Sequence, residues 1–422
     1  MNEFVIPSDI PTKSKLESNF NIFLILNYIT LFLILVADLY LIFKIVETTQ
    51  TEIHIIIIVV SVGTILSFFS KPYLVMIFMR KKLLSNMDDN ITIGNYKIRT
   101  VKEIFNEVIE PFNRKEKPKV YIMNDKHLAL FTINSLFFNF VKSVNAIYIS
   151  ESQFYKLNEF ELKAVIAHEA AHFYRYMLPL FRARIFVFLL IGLIPAYIAI
   201  ISNSEFILLV FYFFTTFFIV GIFYAILVVS KSKVLEYLSD HYAAEKYGKL
   251  NFINGLLTVA KNIDIYHYYL YLVLRMIRKD KSLSIKYLNN IIQMVEKNLP
   301  EIVTSPKQIK AAIKETFNSK ELQDLKLKTQ NDVIKKENRE INKTLQQFHT
   351  LEPSKVMNWN LFDIKKRDNK INQEEYSILI KALIDNPNDV LLSYENYRKI
   401  KLVNQHPTLR QRILFLEKCG LK

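Results

Sequence analysis

Residues 157–177 read LNEFELKAVIAHEAAHFYRYM, and within them His168, Glu169 and His172 form an H-E-x-x-H motif. Two histidines four positions apart lie one above the other on a single face of an α-helix, so both imidazoles can bind one Zn²⁺. The glutamate between them then reaches the open side of the metal, where it can act as a general base. The motif therefore predicts a zinc hydrolase with His168 and His172 as metal ligands and Glu169 as the catalytic residue.

The residues around this motif predict the helix that it requires. Asn158, followed three positions later by Glu161, is typical of a capping box at a helix start, and an apolar stripe at helical spacing follows. Pro179 limits the helix on its C-terminal side. A surface helix whose two histidines happen to be four positions apart is the simpler alternative, so the assignment depends on a third ligand.

Four apolar runs reach or approach the length that crosses a membrane as a helix. They occupy residues 22–46, 54–69, 185–202 and 206–230. Because about 20 helical residues span the hydrocarbon core, the sequence predicts four transmembrane helices in two hairpins, with a lipid bilayer around them.

The basic residues of the short loops predict the orientation in the membrane. The loops after the first and third runs lack Lys and Arg, whereas Arg80-Lys81-Lys82 follows the second run and two lysines follow the fourth. Under the positive-inside rule, both termini and the H-E-x-x-H helix face the cytosol. We therefore expect a multi-pass protein of the cell (cytoplasmic) membrane, and the Lys-, Asn- and Ile-rich composition favours a bacterial source.

Charge and cysteine content limit the classes of partner and environment. The 422 residues include 55 Lys+Arg and 40 Asp+Glu, which gives a net charge of +15. The basic residues are scattered among acidic ones and no nucleic-acid motif accompanies them, so an anionic membrane surface explains the charge better than a nucleic-acid partner. The single cysteine, Cys419, excludes an internal disulfide framework and suits a reducing environment. Composition leaves the oligomeric state open.

A catalytic zinc site needs three protein ligands and a water molecule, so a third ligand must lie elsewhere in the chain. A metzincin would carry Gly at position 175 and His at position 178, where this sequence has Arg175 and Leu178. That class is excluded. A glutamate from a later helix is the other common solution.

The stretch SKSKVLEYLSDHYAAEKYG (230–248) offers such a glutamate directly after the fourth apolar run. Glu236 and Asp240 are four positions apart, so one carboxylate can bind the metal while the other accepts a hydrogen bond from a ligand histidine. The preceding hairpin returns the chain to the side of the membrane that carries the first two ligands. His241 and Glu245 are rival ligands, and the alternative for Glu236 is an ordinary surface glutamate.

Three stretches together resemble the HtpX-type and CAAX-prenyl-protease-type membrane zinc metallopeptidases, a gluzincin family. They are NAIYISESQFYKLNEFELKAVIAHEAAHF (145–173), EYLSDHYAAEKYG (236–248) and NQHPTLRQRILFLEK (404–418). The resemblance covers residues 118–250 and 404–418. It implies one Zn²⁺ per chain, bound by His168, His172 and Glu236, with Glu169 as the catalytic glutamate.

The resemblance also assigns supporting residues. It implies that Asp240 contacts a ligand rather than the metal, and that His406 and Arg412 fold back near the site, where either can support the transition state. The small residue that usually precedes the aspartate is Ser239 here, and the motifs that carry the resemblance place no counterpart for residues 250–400.

The family's substrate-lining strand carries an Asn-Ala-Phe sequence. The corresponding segment here reads Leu128, Ala129, Leu130 and Phe131. We expect an extended substrate to lie along this edge strand through main-chain hydrogen bonds.

These features divide the chain into seven segments. They are 1–20, a cytosolic N-terminal segment; 21–79, the first transmembrane hairpin; 80–182, a cytosolic peptidase region; 183–230, the second hairpin; 231–250, the helix of the third ligand; 251–400, a cytosolic helical extension; and 401–422, a C-terminal segment that returns to the peptidase region. Within 80–182, residues 101–112 predict a helix, and residues 119–123, 128–133 and 145–149 predict strands.

The predicted fold class is membrane α-helical with a small β-sheet: four transmembrane helices and a cytosolic zincin-like (gluzincin) α+β peptidase domain. We expect a zinc metalloendopeptidase that is active in quality control. Its substrates are expected to be membrane or membrane-proximal proteins, because His172 lies only 13 positions before residue 185, where the third apolar run begins. That is about 20 Å of helix at most. A CAAX-type processing peptidase and a zinc-containing membrane scaffold or sensor without peptidase activity are the alternatives. A transporter-like bundle is disfavoured because the spans contain few polar residues.

Overall fold

The computed structural model describes residues 4–48, 63, 81–113, 117–123, 131–133, 145–202, 206–228, 232–280, 283, 285–300, 303, 305–327, 341–342, 345, 362, 364, 370–386 and 407–421. The helices are α1 Lys13–Thr48, α2 Ile98–Ile109, α3 Gln153–Lys156, α4 Glu159–Tyr174, α5 Pro179–Arg182, α6 Arg184–Ile201, α7 Phe206–Leu227, α8 Ser232–Tyr247, α9 Lys249–Lys279, α10 Leu288–Asn298, α11 Pro306–Asn318, α12 Lys320–Leu327, α13 Gln373–Asp385 and α14 Leu409–Lys418, with 3₁₀ turns at Leu84–Asn86, Glu110–Phe112 and Ile285–Tyr287. The strands are β1 Lys81–Leu83, β2 Thr92–Ile93, β3 Tyr96–Lys97, β4 Lys119–Met123, β5 Phe131–Ile133 and β6 Ala146–Ser150.

Three stretches of the described chain are long and apolar enough to cross a membrane: Lys13–Thr48, Arg184–Ile201 and Val210–Tyr247. The last joins α7 to α8 across residues 229–231, which are outside the description. The count is three rather than the four predicted, because the predicted span at 54–69 lies outside the described residues apart from Gly63. The chain therefore has the candidate spans of a multi-pass membrane protein.

The candidate spans pack against one another. Helix α1 lies against α6, and α6 lies against α7. The buried side chain of Asn27 in α1 donates a hydrogen bond from Nδ2 to the carbonyl of Leu227 at the end of α7, 3.3 Å away. Large apolar side chains elsewhere on α1 and α7 are exposed, as a lipid-facing surface requires.

Four of the described strands form a sheet in the order β1-β4-β6-β5. Strands β4 and β6 pair in parallel, with Lys119 opposite Ala146, while β1 and β5 add antiparallel edges. Strand β5 lies against α4. The predicted strands at 119–123 and 145–149 are confirmed, and of the third predicted strand, 128–133, residues 131–133 are described and form β5.

Helix α4 begins where its sequence predicts. The amide of Glu161 donates to Oδ1 of Asn158 and the amide of Asn158 donates to Oε2 of Glu161, both at 2.9 Å, which completes the capping box. The helix ends at Tyr174, and Pro179 starts the next helix. It packs in the main apolar core against α2, α8 and α9. The predicted helix at 101–112 is observed as α2 with a following 3₁₀ turn.

The region between 251 and 400 contributes to two cores. The second half of α9, α10, α11 and α12 surround an apolar cluster of their own. Helix α13 instead joins the main core, where the side-chain amide of Asn254 exchanges two hydrogen bonds with the backbone of Ile371 at 2.8 and 3.0 Å. The phenol of Tyr376 also donates to Glu417 of α14 at 2.7 Å. Part of this region therefore packs in the same core as α4, the helix that carries the motif.

Candidate metal centre

Two helices bring the predicted ligands together. Helix α4 carries His168 and His172 one turn apart, and α8 packs against it and carries Glu236. Nε2 of His168 and Nε2 of His172 are 3.1 Å apart, while oxygens of Glu236 lie 3.6 Å from the first and 3.4 Å from the second. One donor atom from each residue lies within 4.8 Å of the other two. Donors from two distant parts of the chain thus converge on one point.

This spacing fits a tetrahedral zinc ion. Ligand atoms at about 2.0 to 2.2 Å from a tetrahedral centre are about 3.3 to 3.6 Å apart. The two Nε2 atoms, 3.1 Å apart, and the distance from each to its nearer Glu236 oxygen, Oε2 at 3.6 Å from His168 and Oε1 at 3.4 Å from His172, are close to this range. Two imidazoles and one carboxylate are also a donor set that catalytic zinc sites use. His168 and Glu236 are buried and His172 is half-buried, so ordering these donors in advance lowers the entropy that metal binding must overcome.

The imidazoles face polar side chains of α8 on their other nitrogen. Nδ1 of His168 is 2.9 Å from Oδ1 of the fully buried Asp240, although their direction does not meet hydrogen-bond geometry. Nδ1 of His172 is 3.3 Å from Oγ of Ser239. Partners of this kind fix the tautomer and the orientation of a ligand histidine. The hydroxyl of Ser239 therefore lies beside the second ligand, His172, and the sequence pattern does not predict this contact.

Arg412 of α14 completes the surroundings of Asp240. Its Nε and Nη2 donate to the two carboxylate oxygens at 2.7 and 2.5 Å, and Nη2 is 3.8 Å from Glu236. Burial disfavours the charged guanidinium, but the charges of Asp240, Glu236 and Glu169 outweigh burial and raise the pKa of Arg412. Helix α14 therefore contacts the helix that carries Glu236 through Arg412.

The same carboxylates act on the second histidine. Burial lowers the pKa of His172, but the negative charges of Glu236, Glu169 and Asp240 outweigh this effect, so the pKa is raised overall. A bound cation would meet a strongly negative set of groups here. Glu169 itself is half-buried and close enough to influence both His172 and Arg412.

An aromatic ring supports the first histidine from a third helix. The ring of Phe252 in α9 stacks on that of His168 with centroids 5.9 Å apart and planes 22° apart. Phe252 is fully buried, so it fixes one face of the imidazole. The sequence signals an apolar position here but not its partner.

The remaining predicted residues have different outcomes. Leu128, Ala129, Leu130 and His406 lie outside the described residues, and Phe131 begins strand β5. His241 is buried with Nδ1 3.9 Å from Glu245, and neither rival ligand belongs to the cluster of donor atoms found in the described chain.

A sheet flanked by an H-E-x-x-H helix, with the third ligand a glutamate from a later helix, defines a zincin-type metallopeptidase with a His-His-Glu metal site. The sequence model of Peptidase family M48 matches residues 96–419, about three quarters of the chain. The chain belongs to peptidase family M48, and is a zinc metallopeptidase, a hydrolase of peptide bonds. No curated protein and no solved structure matches it. The resemblance drawn from the motifs is confirmed at the level of the family.

Proposed function

We propose that the protein is an integral membrane endopeptidase that cleaves membrane or membrane-proximal proteins, with Glu169 as its general base. The observation that carries this proposal is the convergence of His168, His172 and Glu236 on one point directly beside the candidate spans. Helix α4 ends at Tyr174, and the candidate span α6 begins at Arg184. A substrate at this site would be close to the membrane.

The chemistry divides between the metal and the chain. Zn²⁺ supplies Lewis acidity, which acidifies water and polarises a peptide carbonyl. Glu169, on the helix between the two histidines, removes the proton of the attacking water and delivers it to the leaving amine. Its proximity to Arg412 supports this role, because the positive charge of the guanidinium stabilises the ionised carboxylate that accepts the proton.

Arg412 acts as a positioning residue in this proposal. Its Nε and Nη2 are both engaged by Asp240, so its main effect is to hold the carboxylate that faces His168. A fixed carboxylate would orient the imidazole and raise its basicity as a ligand. His406, the other residue to which the resemblance assigns support of the transition state, lies outside the described residues.

The substrate is proposed to bind in an extended form along the sheet edge. Strand β5 pairs with β6 on one side, and no described strand pairs with its other side. Its contact with α4, the helix that carries His168 and His172, supports a substrate path along this strand. Main-chain hydrogen bonds to an edge strand bind a peptide with little regard to sequence, which suits a role in quality control. An orientation with this site in the cytosol of a bacterial cell is part of the same proposal.

The test compares full-length wild type with Glu169→Gln in detergent. Zinc content is measured by metal analysis, and cleavage is followed on an unfolded protein, a membrane protein and a prenylated C-terminal peptide. Glu103→Gln on the exposed face of α2 is the matched control, because its partner Arg99 is also exposed. We expect all three proteins to bind one zinc, and Glu169→Gln to lose activity by about 10²- to 10⁴-fold.

The substrates separate the alternatives. Equal cleavage by wild type and Glu169→Gln would show that Glu169 is not the general base. Wild type that holds zinc but cleaves nothing would favour a scaffold or sensor. Cleavage of the prenylated peptide alone would favour a CAAX-type processing peptidase.

A further inference from the structure

A cleft of about 310 Å³ opens where the C-terminal ends of α4 and α8 meet the turn that follows α2. Its lining residues are Pro111, Phe112, Tyr174, Arg175, Tyr242 and Lys246. None of them is a metal ligand, although Tyr174 and Arg175 follow His172 by two and three positions. The cleft is therefore a separate feature on the same two helices.

Aromatic rings form the wall of the cleft. The ring of Phe112 stacks on Tyr174 with centroids 4.9 Å apart and planes 24° apart, and lies 5.1 Å from the ring of Tyr242. Two of these rings carry phenol groups, so the wall combines apolar faces with hydrogen-bonding groups. Phe112 and Tyr174 are half-buried, which leaves part of both rings open to a ligand.

Two positively charged side chains, Arg175 and Lys246, line the same cleft. The guanidinium of Arg175 lies 5.6 Å from the ring of Tyr242 and 5.5 Å from that of Tyr176, so aromatic faces hold it in place. Both Arg175 and Lys246 are exposed, and neither forms an ion pair with a carboxylate of the described chain. None of the described residues that line the cleft is acidic. It therefore presents positive charge that an anion could neutralise.

The position of the cleft relates it to the membrane. Tyr176, next to Arg175, packs its ring edge-on against Phe20 near the start of α1, with centroids 5.6 Å apart. Helix α1 is a candidate span, and the candidate span α6 begins at Arg184, nine positions after Arg175. Aromatic residues with Lys and Arg are the usual composition of a protein surface at the level of lipid headgroups.

We propose that this cleft binds the phosphodiester headgroup of an anionic phospholipid. Arg175 and Lys246 would pair with the phosphate oxygens, and the rings of Phe112 and Tyr174 would pack against the glycerol backbone. A free phosphate shares the first interaction, but the aromatic wall and the neighbouring span match a lipid better. Because Arg175 follows the ligand His172 by three positions, the bound lipid would hold the metal-bearing helix at the membrane surface.

The test measures binding of short-chain phosphatidylglycerol to the full chain in detergent by calorimetry. Short-chain phosphatidylcholine and inorganic phosphate are the comparison ligands. The variant Arg175→Gln/Lys246→Gln removes both cations. The variant Arg278→Gln/Lys279→Gln is its matched control, because it removes the same two charges from exposed positions at the end of α9. Zinc content of each protein reports folding independently of peptidase activity.

The expected results are specific. Wild type and the control should bind phosphatidylglycerol at least about tenfold more tightly than phosphatidylcholine, and Arg175→Gln/Lys246→Gln should lose this preference while keeping its zinc. Arg175→Lys should retain part of it, since the charge remains but the planar stacking is lost. Unchanged phosphatidylglycerol binding in the double variant would overturn the proposal, as would inorganic phosphate that competes with equal affinity. A double variant with normal lipid binding and a raised KM for a peptide would assign the cleft to substrate instead.

Discussion

Arg412 and Asp240, 172 positions apart in the chain, form a two-pronged ion pair in which Nε and Nη2 of the guanidinium donate to both carboxylate oxygens. Asp240 is completely buried and only 16 % of the Arg412 side chain is exposed. A pair of this kind leaves an uncompensated charge behind when one partner is removed. It ties the C-terminal helix to the helix that supplies the third metal ligand.

The first prediction concerns this pair. Arg412→Met should lower the free energy of unfolding by about 3 kcal/mol, because it strands the buried carboxylate of Asp240. The double variant Arg412→Met/Asp240→Asn should be less destabilised than the sum of the two single variants. Denaturant unfolding of the zinc-free protein in detergent measures both values. Additive effects would show that the two residues do not interact.

The second prediction concerns the partners of the ligand histidines. Asp240→Asn should lower zinc affinity by about 10- to 100-fold, since it removes the charge beside His168. Ser239→Ala removes a neutral partner of His172, worth about 0.5 to 1.5 kcal/mol, and should lower the affinity by about tenfold at most. Competition with a zinc chelator measures both affinities. Ser377→Ala on the exposed face of α13 is the control, and an order of effects opposite to this one would contradict the roles assigned.

The third prediction decides between the rival glutamates of α8. Glu236→Gln should abolish stoichiometric zinc binding, because its carboxylate is one of the three converging donors. Glu245→Gln should leave zinc content unchanged, as its carboxylate is exposed and 3.9 Å from His241. Metal analysis after dialysis distinguishes the two variants. Normal zinc content in Glu236→Gln would remove it from the site.

The fourth prediction concerns the contact between α9 and the metal-bearing helix. A Cβ added at Gly255 would lie 2.7 Å from Cγ2 of Val165 in α4, and a β-branched side chain cannot easily move aside. Gly255→Ala should therefore destabilise the protein by about 1 to 3 kcal/mol, despite the higher helix propensity of alanine. Thermal unfolding in detergent measures the change. Gly221→Ala is the matched control, with no atom within 4 Å of the added group, and equal stability of both variants would rule out the close approach.

The sequence by itself determined the features that depend on local periodicity. The spacing of His168 and His172, the capping box at Asn158 and the apolar runs each follow from residues within one or a few helical turns, so they can be read without knowing the fold. The same holds for the pairing of Glu236 with Asp240 on one helix face. These local rules, together with the resemblance to a known family, were sufficient to predict the class of enzyme.

Only the tertiary structure decided which distant groups meet. Glu236, rather than Glu245, lies with the two histidines. Ser239 contacts His172, and Phe252 stacks on His168. The described helices after residue 250 are divided between two apolar cores. None of these contacts has a local signature, because each depends on how separate helices pack and on the direction in which side chains then point. The closeness of Gly255 to α4 is of the same kind: the sequence contains the glycine, but only the packed helices show why a larger residue would not fit.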